Sequence, residues 1–93
     1  MTAEQSVEAR ALAREHAIRR GLGGRRRWHY IEADGRLPFV DVDEELGRRL
    51  EAGSAAIVSD GEGARIVSGE VVRRIAALDQ SAVLFWVSDE LPE

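Results

Sequence analysis

The sequence predicts a single small α+β domain in the order α-β-β-α-β-β-α-β, with a mainly antiparallel sheet and its helices on one face. Three observations predict it. First, residues 42–58, VDEELGRRLEAGSAAIV, recur 25 positions later as residues 67–83, VSGEVVRRIAALDQSAV. Glu45 falls on Glu70, Leu46 on Val71, Arg48 and Arg49 on Arg73 and Arg74, and Leu50 on Ile75. A repeated supersecondary unit explains such likeness, because one copy cannot cover its own apolar face. Second, each copy follows a glycine turn, Asp34-Gly35 and then Asp60-Gly61. Third, short apolar runs of strand length alternate with stretches of helical period. The expectation is two related ββα halves closed by a final strand.

Taken in order, residues 2–20 predict a helix. Thr2 and Gln5 can form a capping box, and Val7, Ala11, Ile18 and Leu22 fall near one face. Gly21 would stop it as a left-handed cap, and Gly23-Gly24 would connect it loosely to Arg25. Residues 1–24 thus form a helix and linker, residues 25–88 the duplicated domain with its closing strand, and residues 89–93 an acidic tail. Residues 27–32 alternate and are rich in aromatic and β-branched types, so they predict a strand, returned by residues 37–42 after the Asp34-Gly35 turn. Pro38 places that return strand at an edge.

Asp43 caps a helix over 44–52 that turns Leu46 and Leu50 inward and ends at Gly53. Residues 55–59 and 64–67 form the next hairpin. Ser68 caps a helix over 69–78 that buries Val71, Val72, Ile75 and Leu78. Residues 82–87 are apolar throughout and predict a closing strand buried on both faces.

Composition excludes several classes. With 93 residues there is one modest core, which a partner chain could usefully extend. No cysteine is present, so disulfides, thiolate metal sites and cysteine nucleophiles are excluded. The apolar run at 82–87 is far too short to span a membrane. The opening MTAEQSVE has no basic or apolar signal region, so a bacterial, cytoplasmic protein is expected.

Net charge is −4, but unevenly placed. Residues 1–30 hold seven arginines against Glu4, Glu8 and Glu15, a balance of +4, leaving −8 on the remainder. Within the basic third lies the candidate site: Arg19, Arg20, Arg25, Arg26 and Arg27, then Trp28, His29 and Tyr30. Guanidinium groups beside aromatic rings suit single-stranded nucleic acid, which needs phosphate neutralisation and stacking surfaces. Trp28 and Tyr30 share one strand face, with His29 on the other. The competing reading makes both aromatics core, since the chain has only five aromatic residues to fill it.

Other motifs carry less. The duplicated arginine pairs have acids one turn earlier, Glu44, Glu45 and Glu70, as solvated helix faces do. Asp41, Asp43, Glu44 and Glu45 match no calcium loop, and acids at a helix start suit the dipole. Neither glycine cluster is followed by Lys-Ser/Thr, two histidines are too few for a metal site, and no nucleophile sits beside a base. No cofactor, no metal and no catalysis are expected.

Residues 16–87 resemble the C-terminal domain of the bacterial YaiL-like family, most specifically in Leu50-x-x-Gly53-x-x-Ala56-Ile57-Val58 and Val67-Ser68-x-Glu70-Val71, then Ile75 and Asp79. The resemblance implies association with polynucleotide and supplies no catalytic residues. Two functions are therefore expected as alternatives: RNA or single-strand binding through the Arg-aromatic segment, or protein interaction, including a homodimer, through the first helix or the Pro38 edge.

Overall fold

The computed structural model describes residues 2–32 and 34–87, so the acidic tail at 89–93 lies outside the described residues. Its elements follow the expected order: α1 (Ala3–Glu15), β1 (Leu22–His29), β2 (Phe39–Val42), α2 (Glu44–Ala52), β3 (Ala55–Ser59), β4 (Ala64–Ser68), α3 (Gly69–Leu78) and β5 (Val83–Phe85). The domain is α+β with antiparallel sheets. Strands β1 and β2 make one antiparallel pair, and a separate three-stranded sheet has the order β4-β3-β5.

The two repeated helices form for the same local reasons. Asp43 accepts the Leu46 N–H at 2.8 Å at the start of α2, and Ser68 accepts the Val71 N–H at 3.3 Å at the start of α3. Leu46 and Leu50 are buried in the first, and Val71 and Ile75 in the second. Gly53 ends α2 at φ 81°, where a side chain would be strained.

The placement of the helices differs from a one-sided arrangement. Strand β3 is buried on both faces and divides the core. Ala56 and Val58 join Ala9, Leu12 and Ala13 of α1 and Val72 and Ile75 of α3 on one side. Ala55 and Ile57 join Leu46 and Leu50 of α2, with Val42 and Tyr30 of the first hairpin, on the other. So α1 and α3 cover one face of the three-stranded sheet, while α2 and the β1–β2 hairpin cover the opposite face. The physical reason is that every residue from Ala55 to Val58 is apolar, so both faces of β3 must be covered. The duplication is thus local, in cap and helix, and the two copies do not face one core.

Three further expectations are corrected. Helix α1 ends at Glu15, because the Ile18 N–H donates to the Ile66 carbonyl at 2.6 Å and pins the connector to the edge of β4. Its buried face is Ala9, Leu12 and Ala13, small enough for close approach to α3, whereas Val7 is 62% exposed. Gly23 and Gly24 are no linker: they lie inside β1, where Leu22 and Arg26 both oppose Val42 across a bulge. Gly24 is needed there, since a Cβ would strike the Val42 backbone. Finally, β5 is a short, half-buried edge strand, and the doubly buried strand is β3.

Candidate functional site

Strand period decides the fate of the arginine-aromatic segment. Successive side chains of β1 point to opposite faces, so the segment is divided residue by residue. Arg26, Trp28 and Tyr30 turn inward; Arg25, Arg27 and His29 turn outward and are exposed. Arg19 and Arg20 sit in the connector before β1, also exposed.

The inward set is consumed by the fold. Tyr30 is buried in the core, and burial, then the nearby Glu32 charge, pushes its phenol above the usual range. Trp28 is half-buried and meets Phe85 edge-on, with ring centroids 5.4 Å apart. The Arg26 guanidinium lies 5.1 Å from the Trp28 ring centre. It also bridges two carboxylates of α2, Glu44 at 3.2 Å and Glu51, one turn to either side of Gly47. Gly47 makes room for this, since a Cβ there would meet the Arg26 side chain. Neither aromatic ring of the inward set is presented to solvent as a stacking platform.

The outward set builds a different surface. Register pairs Arg27 with Asp41 and His29 with Phe39. The Tyr30 N–H bonds the Pro38 carbonyl and the Glu32 N–H the Arg36 carbonyl, so the same register sets Leu37 opposite Ile31. Arg27 reaches Asp41 at 3.2 Å and holds its guanidinium 3.8 Å from the centre of the Phe39 ring. His29 stands edge-on to the same ring at 5.9 Å. Around this pair Ile31 is 65%, Leu37 61% and Phe39 47% exposed. Reading the segment alone missed Ile31, Leu37 and Phe39. The signal was available, because a hairpin centred on Asp34-Gly35 fixes those pairings.

The uneven charge is largely satisfied inside the molecule. Besides the Arg26 and Arg27 pairs, helix α1 brings Arg14 near Asp60 and Arg10 near Asp79. Asp60 is fully buried in the β3–β4 turn, where its Oδ1 accepts the Glu62 and Gly63 N–H groups, each at 2.8 Å. Its Oδ2 lies 3.0 Å from Arg65 Nε, an ion pair whose geometry is not that of a hydrogen bond. Burial pushes the Asp60 carboxyl up, but the two N–H donors and the Arg65 and Arg14 charges outweigh it and hold it below the usual range. Asp79 is held low by the Ser81 hydroxyl at 2.5 Å, against burial, with Ser6 and Arg10 adding. Two tightly held carboxylates thus anchor α1, and the basic third of the sequence meets its complement in the acidic remainder.

The arginine pair of α2 is bonded otherwise than expected. Glu44 is engaged by Arg26, and Arg48 instead donates to the Glu44 carbonyl at 3.5 Å. Arg49 donates to the Ser54 carbonyl at 3.2 Å, beyond the C-terminal end of α2. Among the described residues, no group of three or more His, Asp or Glu side chains is placed to hold a metal ion, and no helix is long and apolar enough to cross a membrane. Comparison with known family models, curated proteins and solved structures finds no match to this chain.

Proposed function

We propose that this chain is a non-enzymatic association domain that docks a second copy of itself through the outward face of the β1–β2 ribbon. The observation that carries it is the exposed apolar group Ile31, Leu37 and Phe39 on a ribbon whose other face is spent on the core. Exposed apolar groups gathered on one face favour contact with another surface. Charge does not oppose a like partner. Arg27 is paired with Asp41 at the open end of the hairpin, and Arg36 with Glu32 and Asp34 at its turn. A two-fold contact centred on Phe39 sets the apolar groups of the two copies against each other and leaves these ion pairs, closed within each copy, at its rim.

The ribbon is small, with eight residues in one strand and four in the other. Its face is below the ~800 Å² per partner of a standard interface, so the dimer is weak, with a Kd of about 10–1,000 μM. Sedimentation equilibrium tests this. The wild type should show a monomer–dimer equilibrium in that range, Phe39→Ser should abolish it, and Val7→Ser, at a still more exposed apolar site on α1, should leave it intact. A wild type that stays monomeric to ~1 mM sinks the proposal.

A second reading is favoured by one observation: among the described residues, Arg19, Arg20 and Arg25 make no ion pair. These exposed guanidiniums are available to phosphate, as the resemblance to the YaiL-like domain implies. Such binding would be electrostatic, with little stacking, because Trp28 and Tyr30 face the core. Fluorescence anisotropy with single-stranded RNA should then give a log-affinity slope against log salt that falls by about 2 when the three arginines become Ala. Stable, salt-insensitive complexes, or none at low salt, would exclude it.

A further inference from the structure

We infer that the groove between the α1–β1 connector, β2 and β4 is a binding site for a small aliphatic carboxylate. The groove has a volume of about 330 Å³, at the lower end of the ~300–1,000 Å³ of small-molecule sites. Ile57 and Ile66, both buried, form its floor, and Ile18 and the half-exposed Leu22 form its wall. Ala17, Val40 and Ala64 add to the apolar lining, and Arg19 borders it. Arg65 contributes at the edge of β4, but it pairs with Val58 on the opposite face of that strand and its guanidinium is held by Asp60. Sites for small molecules are built this way, as an apolar body with a few polar groups that fix orientation.

The charge of the lining selects the ligand. The chain has 17 acids against 13 basic residues, yet Arg19 borders the groove and no acid lines it. Neighbouring concavities differ: Asp43 and Glu45 line one, Glu70 another, and Glu32, Asp34 and Glu62 a third. Arg65 shares its charge with Asp60, but Arg19 makes no ion pair among the described residues. A ligand with an apolar chain and one terminal anion leaves nothing unpaired, with chain on the isoleucine floor and carboxylate at Arg19. The groove is also prepared in advance. The Ile18 N–H bond to the Ile66 carbonyl fixes the connector against β4, so the wall does not have to be ordered on binding. A neutral alkane would leave Arg19 without a partner, and an alkylammonium would meet its like charge.

The test is titration of the full chain with butanoate, hexanoate and octanoate, followed by amide chemical shifts in ¹H–¹⁵N spectra. Shifts should cluster at residues 17–22, 57 and 64–66, and affinity should rise about three- to fourfold for each methylene added until the groove is filled. Octylammonium at the same concentration should produce no such cluster. Arg19→Gln should weaken octanoate about three- to tenfold. Leu22→Glu, at a half-exposed site, should abolish binding by placing a carboxylate in the groove, with an otherwise unchanged amide spectrum showing that the fold is kept. Shifts scattered over the surface, equal response to octylammonium, no dependence on chain length, or unchanged binding in both variants would each overturn the assignment.

Discussion

Trp28 and His29 are neighbours in sequence, and the parity of β1 gives them opposite fates, so exchanging each for alanine is a sharp test. Fully burying a tryptophan and then truncating it costs about 3–5 kcal/mol. Trp28 is half-buried, which lowers that figure, but it also loses an edge-on partner in Phe85 and the overlying Arg26. Aromatic pairs contribute about 0.5–1.5 kcal/mol and a partly exposed cation–π contact about 0.5–1 kcal/mol. Trp28→Ala should therefore destabilise the domain by about 2–4 kcal/mol. His29→Ala, on the exposed face, should stay within about 0.5 kcal/mol of the parent. In a domain of this size each kcal/mol moves the Tm by about 4–8 °C, so the two variants should melt at least about 6 °C apart. Far-UV circular dichroism is the appropriate assay, because Trp28 is itself one of the two tryptophan fluorophores. Losses that are equal in the two variants, or larger for His29→Ala, would refute the assignment of Trp28 to the inner face.

Three other perturbations have expected outcomes. Asp60 and Asp79 have carboxyls held below their unfolded values, so their contribution is present above pH ~4 and lost as pH falls through the lowered native values. Asp60→Asn should cost about 1–3 kcal/mol at pH 7, and its deficit against the parent in thermal melts should narrow below pH ~4 rather than stay constant. Gly53→Ala places a side chain at φ 81° against the Val87 carbonyl and should cost at least about 1–2 kcal/mol by denaturant titration. Ile75→Ala removes a fully buried side chain between α1, α3 and β3 and should cost about 2–5 kcal/mol; a Tm within error of the parent would mean that the buried face of α3 is misassigned.

Much of the fold was legible because local signals act alone. Asp43, Ser68 and Gly53 mark helix ends through their own hydrogen bonds or backbone angle, and the bounds of α2 and α3 follow from them. What could not be read locally depends on tertiary choice. Ile18 fits a helical face in sequence, yet its N–H is claimed by the Ile66 carbonyl across the chain. The helical period nominated Val7, but the contact with α3 selected Ala9 and Ala13 for their small size. Residues 82–87 and 55–58 are equally apolar, and only the sheet order decides that β3 is central and β5 an edge. At the site, the alternation of β1 was visible, but which of its faces met the core was not. The answer came from Arg26 reaching Glu44 and Glu51 over Gly47, a pairing with no sequence signature. The charge contrast between the two parts of the chain was equally visible, and the structure spends much of it on holding α1, β1 and α2 in place.

The most direct test of the outward ribbon as a contact surface is the concentration dependence of amide chemical shifts in the wild type, from about 50 μM to 1 mM, around the expected dissociation constant. Amides of Arg25, Arg27, His29, Ile31, Leu37 and Phe39 should move together along one binding curve, with Val72 and Ile75 in the core unmoved. Spectra that do not change with concentration, or shifts centred on Val7 and the exposed face of α1, would contradict it.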